Sequence, residues 1–196
     1  LSDAQPDRLF HDVTGAGIIF GATGGVMEAA LRTAYYSLMG ENCPPDAFKV
    51  VRAQSQKTGL TEATFSLNNI DLHVAVVNGL ANTRKLIEEI DRGEKKYDFV
   101  EVMACPGGCV GGGGQPIHDG EELAFTRGKN LYFLDKNANI RHSHENPDIK
   151  TLYKNYFGTP NSHKAHQVLH TDHFAWEMPK RLLRDKDGYI IRERRI

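Results

Sequence analysis

The chain has 196 residues, with 24 Lys and Arg against 25 Asp and Glu and a formal net charge of -1. This balance gives no electrostatic footprint for nucleic acid or an anionic membrane, so we expect a protein and a small molecule as partners. No apolar run approaches the ~20 residues of a membrane-spanning helix, and no signal peptide precedes the first polar residues. The sequence predicts a soluble, cytoplasmic protein.

The three cysteines are too few, and odd in number, for a disulfide framework. They favour a reducing compartment and a role in metal binding or catalysis. The sequence lacks an initiator Met and reaches a Gly-rich apolar stretch, GAGIIFGATGG, at residue 15. We therefore expect it to be part of a longer domain.

The first part of the chain predicts one helix and a short extended run. Residues 15–39 combine the Gly-rich segment with apolar residues that recur at intervals of three and four from Val26 to Leu38, which predicts an amphipathic helix that ends at Gly40. Residues 48–52 form a short β-type run after a proline-containing loop.

The middle of the chain predicts a sheet with a crossover helix. Runs 61–67 and 70–78 flank two asparagines and predict a hairpin. Residues 81–90 have one apolar side and predict a helix, and residues 97–104, YDFVEVMA, predict a strand. Apolar strands that alternate with helices are typical of an α/β fold with a mostly parallel sheet flanked by helices.

After residue 120 the chain becomes more polar. Residues 120–135 and 136–141 predict polar connections and short helices. From residue 143 onward the sequence is rich in His, Tyr and Asn, which predicts a mainly helical tail that wraps the body. The last stretch, RLLRDKDGYIIRERRI, is expected to be loosely ordered.

The segment EVMACPGGCVGGGGQP, residues 101–116, follows the predicted strand directly. Ligands of open α/β sheets bind at the carboxyl ends of strands, so a site is expected at Cys105. Pro106 and the following glycines allow a turn that aims the thiolates of Cys105 and Cys109 at one object. The run 111–114 has no side chains, so its N–H groups can approach a bulky anionic cluster. Thiolates are the usual ligands of iron–sulfur clusters.

A C-x-x-x-C pair by itself has other interpretations. The two cysteines can lie on adjacent helical turns or be small buried hydrophobic residues. They can also exchange disulfides, although that chemistry usually has two intervening residues. The flanking Pro, Gly and strand favour the ligand pair.

These residues resemble a known family. EVMACPGGCVGGGGQP is similar, almost letter for letter, to the third cysteine motif of [FeFe] (iron-only) hydrogenases, E-x-M-x-C-x-x-G-C-x-x-G-G-G-Q-P. TGAGIIFGATGGVMEAALRTAY resembles the family's preceding Gly-rich segment, and ENPDIKTLYKNYFGTPNSHKAHQVLHT looks like the small-subunit module of some members. The resemblance implies a catalytic-domain lobe over residues 1–135 and a small-subunit-like segment over 136–196.

The resemblance also implies the roles of individual residues. Cys105 would bind the [4Fe-4S] part of the H-cluster, and Cys109 would bridge it to the diiron subsite where H₂ and protons interconvert. Met103 would pack near the diiron unit, and Phe20 matches an aromatic residue of the cluster pocket. By residue type alone, Met103 and Phe20 are also typical core side chains.

The family's cubane takes four cysteines, and the motifs that hold the first two, TSCCP and MPCxxK, do not occur in this sequence. Cys43 lies in neither context. The resemblance thus implies that a missing N-terminal half, or a partner chain that carries it, completes the site. It implies ferredoxin or an NAD(P)-linked subunit as electron partner. Alone, the chain is not expected to assemble an active cluster.

Two other classes of function stay open. One is a non-catalytic, hydrogenase-like iron–sulfur protein of cluster assembly, which has a related cysteine loop without a diiron site. Met103 and the complete GGGQP run favour the enzyme. The other is a redox thiol protein that uses Cys105 and Cys109.

A helix through SHKAHQVLHTDH would present His163, His166, His170 and His173 along one face. Imidazoles on a helix can bind zinc, usually at i, i+4 with a third ligand. We expect packing and hydrogen bonding here instead. GAGIIFGATGG lacks the spacing of a phosphate-binding loop, and we expect it to pack its backbone closely near the cluster.

Overall fold

A computed structural model describes residues 12–52, 59–118, 120–170 and two later strands. The α-helices in these ranges are Gly15–Ile18 (α1), Gly25–Met39 (α2), Leu80–Asp91 (α3), Ala124–Lys136 (α4), Pro147–Leu152 (α5) and His163–Leu169 (α6). The strands are Leu60–Leu67 (β1), Ile70–Asn78 (β2), Phe99–Met103 (β3), Arg181–Arg184 (β4) and Ile190–Arg194 (β5). Among the described helices, none is long and apolar enough to cross a membrane.

The predicted hairpin is confirmed. β1 and β2 pair antiparallel, with Leu67 opposite Ile70. The two turn residues, Asn68 and Asn69, have φ angles of 48° and 62°. A two-residue hairpin turn favours positive φ at both positions, and Asn tolerates it better than most side chains.

The sheet has the order β1-β2-β3, and β3 runs parallel to β2 with α3 as the connection. The predicted helix over 81–90 and strand over 97–104 are confirmed with slightly different bounds. The α/β fold with flanking helices is also confirmed. The sheet itself is mixed within the described residues, because the hairpin adds an antiparallel strand beside the parallel pair.

β2 is covered on both faces. Val74 and Val76 pack in one cluster with Met27 of α2, whereas Ala75 and Val77 pack in another with Leu86 of α3. Successive side chains of a strand point to opposite faces, so one apolar run serves two helices. The sheet therefore lies between α2 and α3.

The predicted β-run at residues 48–52 is wrong, because this segment forms a 3-10 turn at Lys49–Val51. Phe48 and Val51 are both buried in the cluster under α2. Residues three apart lie on the same side of a helical turn but on opposite sides of a strand. The turn is thus the conformation that buries both side chains against one core.

The predicted helix that ends at Gly40 is α2, and the Gly-rich segment before it forms separate helical turns. α1 is followed by a 3-10 turn at Ile19–Gly21, and α2 begins only at Gly25. Gly24 has a φ of 87°, and a Cβ placed on it would lie 2.0 Å from the Val51 carbonyl oxygen. Close backbone approach and left-handed φ explain the break. The predicted end at Gly40 is confirmed.

A buried network of ion pairs joins α2 to its neighbours. The Arg32 guanidinium donates to both Asp135 carboxylate oxygens, each at 2.7 Å, and to Glu28 at 2.6 Å. Arg52 donates to Glu28 at 2.6 and 2.7 Å. Arg141 also reaches Asp135, at 3.2 Å. Bidentate contacts of this kind fix orientation as well as distance.

Asp135 belongs to α4, a helix of 13 residues in the region where polar connections and short helices are predicted. Ala124, Gly128 and Asp135 are its buried positions. They share one face of a helix at spacings of four and seven. A buried carboxylate in place of an apolar residue on this face made the helix hard to predict.

The chain divides into two compact units, residues 1–150 and 151–196. In the second unit, a π-helical turn at Tyr153–Phe157 precedes α6, and β4 pairs antiparallel with β5. These two strands lie in the C-terminal stretch that is expected to be loosely ordered, and that expectation stays a prediction. The division between 1–135 and 136–196 stays a prediction.

We expect Asp135→Asn to lower the free energy of unfolding by ~3 kcal/mol, because it leaves Arg32 buried without its main countercharge. Burial alone would raise the pKa of Asp135, but its hydrogen bonds with Arg32 and that residue's charge hold the pKa below its usual value. The carboxylate therefore stabilises the fold above its unfolded pKa of ~3.9, and this contribution is lost as pH falls through the folded pKa. Urea unfolding at several pH values measures both effects.

Glu94→Gln is the matched control, because Glu94 and Arg92 form an exposed pair at 2.6 Å. Exposed pairs contribute little to stability. A loss for Asp135→Asn no larger than that for Glu94→Gln would contradict a structural role for the buried network.

Candidate metal centre

The two motif cysteines follow the carboxyl end of β3. Cys105 lies in a bend two residues after the strand ends, and Cys109 begins a 3-10 turn at Cys109–Gly111. Both are free thiols. Cys105 is half-buried and Cys109 is exposed. The site thus lies where the topology of an α/β sheet places ligands.

Glycines shape the segment between the cysteines. Gly107 and Gly108 have φ angles of 81° and 91°, a region that side chains rarely occupy. Gly108 donates its N–H to the Cys105 carbonyl at 3.0 Å, and Gly112 donates to the Cys109 carbonyl at 3.1 Å. Two consecutive tight turns therefore hold the cysteine loop, residues 105–112.

The cysteine loop packs on the Gly-rich segment before α2. The Thr23 N–H donates to the Gly107 carbonyl at 3.0 Å. A Cβ on Gly108 would lie 2.8 Å from both the Gly21 carbonyl oxygen and the Thr23 nitrogen. The expected close backbone packing of GAGIIFGATGG is therefore observed against the loop that carries the cysteines.

α4 supports the loop from another side, which the sequence did not indicate. A Cβ on Gly107 would lie 2.8 Å from the Ala124 Cβ. Arg127 donates to the carbonyls of Val110 at 3.0 Å and Pro116 at 2.8 Å. An arginine three residues after a small residue is too common a pattern to mark such a contact.

The glycine run after Cys109 leaves open space beside a thiol. A Cβ on Gly112 would lie 3.8 Å from the Cys105 Sγ, and Cβ atoms on Gly113 and Gly114 would meet no described atom within 4 Å. Two free thiols beside exposed backbone fit part of an iron–sulfur ligand set, in which thiolates bind iron and N–H groups approach sulfides. That both sulfurs face one concave surface stays a prediction.

The other two predicted site residues lie on the elements that flank the loop. Met103 ends β3 as a half-buried residue, and its carbonyl accepts from the Gly79 N–H at 2.8 Å. Phe20 lies in the 3-10 turn before α2, with 47% of its surface exposed. Their contacts with a cluster stay predictions.

Glu101 is a further residue near the loop. It is part of the cysteine motif, but it is not among the site residues predicted from the sequence. It is 5% exposed, and its carboxylate accepts N–H bonds from Gly24 at 2.7 Å and Met27 at 2.6 Å. Burial raises the pKa of Glu101, and the two N–H bonds oppose the rise. The signal that could have identified Glu101 is its charge, because it lies inside the otherwise apolar strand segment YDFVEVMA.

The histidines of the tail do not gather as metal ligands in the described part of the chain. His163 and His166 lie on α6, His170 follows it, and His173 lies outside the described residues. Among the described residues, the only group of three or more possible metal ligands with ligand atoms within 4.8 Å of one another is His142, His144 and Glu145.

The residues of the group His142, His144 and Glu145 already form hydrogen bonds and a stacked ring contact. The two rings stack with an interplanar angle of 23°, and both nitrogens of His144 have partners, Thr33 and Asn42. Nearly parallel rings do not direct their in-plane lone pairs at one ion. We interpret the group as a polar contact between α2 and the segment after α4.

Comparisons with known proteins show the family of this chain. A family model described as "Iron only hydrogenase large subunit, C-terminal domain" matches residues 1–113, and one described as "Iron hydrogenase small subunit" matches residues 121–176. These matches define the chain as hydrogenase large-subunit sequence joined to a small-subunit segment. The chain belongs to the iron-only ([FeFe]) hydrogenase family.

Several relatives show how similar the chain is to this family. It is 46% identical to "NADP-reducing hydrogenase subunit HndD" of Solidesulfovibrio fructosivorans, over 89% of this chain and 29% of that protein. It is 42% identical to "Iron hydrogenase 1" of Clostridium pasteurianum, over 87% of this chain and 30% of that protein. The chain thus spans about 30% of the length of these relatives.

The fold agrees with solved structures. A variant of the [FeFe]-hydrogenase HydA1 from Chlamydomonas reinhardtii aligns with a TM-score of 0.58 and 41% identity, over 78% of this chain and 44% of that chain.

A more distant relative is "Cytosolic Fe-S cluster assembly factor narfl" of Xenopus tropicalis, 32% identical over 90% of this chain and 38% of that protein.

We expect Gly108→Ala to destabilise the chain, by about 1–3 kcal/mol from its positive φ alone and by more through the clash with the Gly21 carbonyl. Gly113→Ala, directly after the cysteine loop, is the matched control, because its Cβ meets no described atom within 4 Å. Urea unfolding of both variants checks this. Equal stabilities would show that the loop does not pack on the Gly-rich segment.

Proposed function

We propose that this chain is part of an iron-only hydrogenase that catalyses reversible oxidation of H₂ to protons and electrons. The observation that carries the proposal is the cysteine loop at the end of β3. There, free Cys105 and Cys109 lie beside an open glycine backbone in a chain of the hydrogenase family.

In this proposal, the cofactor is the H-cluster, which comprises a [4Fe-4S] cluster and a diiron subsite. Cys105 would hold the [4Fe-4S] part, and Cys109 would hold this part together with the diiron subsite. Bound there, the cluster supplies the interconversion of H₂ with protons and electrons. Met103 and Phe20 line its pocket and exclude water, which strengthens electrostatic interactions within the site.

Two thiolates are half of the protein ligands that a cubane usually takes. We propose that the other ligands come from an N-terminal half of the catalytic domain or from a partner chain that carries it. In the same proposal, residues 1–135 are the catalytic lobe and 136–196 the small-subunit-like segment.

The proposed electron partner is ferredoxin or an NAD(P)-linked subunit, and the proposed location is the cytoplasm. The name of one relative, an NADP-reducing hydrogenase subunit, supports the second kind of electron partner.

A second candidate is a non-catalytic role in iron–sulfur cluster assembly. The 32% identity to a cytosolic Fe–S cluster assembly factor, over 90% of this chain, favours it. The higher identities to hydrogenases, 46% and 42%, support the enzyme instead. A loaded protein that holds cubane iron but neither binds a diiron unit nor turns over H₂ would support the assembly role.

We expect Cys109→Ser to abolish H₂ evolution when the chain is joined to its complementary half and matured with the diiron unit. A neutral hydroxyl is a poor bridge between soft iron centres. We expect Cys105→Ser to reduce cubane content first. Iron analysis and EPR, set beside H₂ evolution from a reduced dye, separate the two effects.

Cys43→Ser is the matched control. Cys43 is half-buried against the α2 core, and burial raises the pKa of its thiol, which favours a packing role. This variant is expected to keep both its iron and its activity. Full activity in the Cys109→Ser variant would rule out the proposed bridge.

A further inference from the structure

We propose that Glu101 is a positioning residue, whose carboxylate holds the cysteine loop against the first turn of α2 before any cluster binds. The proposal deepens the proposed function, and only its cluster measurement rests on that function. Its geometry concerns contacts within this chain alone.

Glu101 differs from the other buried carboxylates in the described part of the chain. Glu28 and Asp135 each lie within 2.7 Å of an arginine nitrogen. Glu101 is also buried, yet its hydrogen bonds in this part of the chain come from backbone N–H groups alone. Burying a carboxylate without a cation is costly, so its N–H partners have to stabilise the charge.

Those partners are N–H groups at the beginning of α2. The first N–H groups of a helix have no carbonyl partner within the helix, and a side chain usually caps them. The N-cap position of α2 is Gly24, which has no side chain to do so. Glu101 therefore caps α2 from a distant strand. It lies 77 residues after Gly24 and 74 residues after Met27 in the sequence. The positive end of the helix dipole favours a negative charge at this place.

Two contacts attach the chain on either side of the first cysteine, Cys105. One is the cap and the other is a backbone hydrogen bond. The Glu101 carboxylate contacts Gly24, and the neighbouring Thr23 N–H donates to the Gly107 carbonyl at 3.0 Å. Cys105 lies between Glu101 and Gly107 in the chain. The backbone around Cys105 is thus tied to α2 on both sides, by one side-chain contact and one backbone contact.

The charge is essential to this arrangement. A carboxylate offers two acceptor oxygens to two N–H donors. A glutamine of the same shape offers one oxygen, and its NH₂ group would face the other N–H. Glu101→Gln therefore removes one hydrogen bond and adds a contact between two donors, with almost no change in volume.

The first experiment tests, without any cluster, the clamp formed by the Glu101 carboxylate and the N–H groups of Gly24 and Met27. Hydrogen exchange is followed by mass spectrometry in the full 196-residue chain, for peptides that contain Gly24 and Met27. We expect exchange in Glu101→Gln to be at least about tenfold faster, as for the loss of a hydrogen bond to a charged group. Unchanged exchange would overturn the proposal.

The second measurement distinguishes positioning from general stability. In the cluster-loaded protein, Glu101→Gln is expected to change the EPR spectrum and reduction potential of the cubane. Glu28→Gln is the matched control, because Glu28 is an equally buried glutamate whose partners are Arg32 and Arg52. It is expected to lower stability and to change the EPR spectrum less than Glu101→Gln does, because the described hydrogen bonds of its side chain come from these arginines and not from the backbone beside Cys105. Faster exchange in Glu101→Gln with an unaltered EPR spectrum would show a purely structural role and overturn the proposal.

If Glu101→Gln does not fold, Glu101→Asp tests the clamp instead. It keeps the charge on a shorter side chain, so exchange at Gly24 and Met27 is expected to be faster than in the wild type. Wild-type exchange in Glu101→Asp would overturn the clamp. A wild-type protein that binds no cluster would refute the proposed function, while the exchange result would still decide the role of Glu101.

Discussion

The bidentate contact between Arg32 and Asp135 is the interaction on which the arrangement around the cysteines depends. It joins α2 to α4, and Glu28 extends the network to Arg52 beside the 3-10 turn. Buried charges of this kind are costly unless each has its partner, so the network tolerates few alternative packings. Because α2 is fixed in this way, the Gly-rich segment before it has one position, and the cysteine loop packs on that segment.

The second constraint is the absence of side chains where backbones meet. Gly24 approaches the Val51 carbonyl, and Gly108 approaches the Gly21 carbonyl, at distances that leave no room for a Cβ. Both residues also have positive φ. The two contacts place the loop and the start of α2 against each other through backbone atoms, which are less variable in position than side chains. This suits a site that must hold thiolates in a fixed geometry.

In the proposed function, the chain would supply part of a metal centre. Its own contacts support Cys105 and Cys109 through β3, the Gly-rich segment and α4. Among its relatives, hydrogenases and an iron–sulfur cluster assembly factor share this region. The chain covers 29% to 38% of these proteins.

Local pattern was enough to predict several elements and the family. The hairpin followed from two apolar runs around Asn68 and Asn69, and the β2-α3-β3 unit followed from its alternating periods. The cysteine motif was specific because it combines Pro, Gly and Cys at fixed spacing after a strand. Each of these signals lies within a few neighbouring residues, so the sequence alone carries it.

Only the tertiary structure decided the features that depend on distant residues. Phe48 and Val51 form a helical turn because α2 offers one apolar surface to both. α4 forms with a buried carboxylate on its inner face because Arg32, 103 residues away in sequence, neutralises Asp135. Glu101 has its role because α2 brings two free N–H groups to it. No local periodicity marks these contacts, since each depends on a partner that only the folded chain brings near.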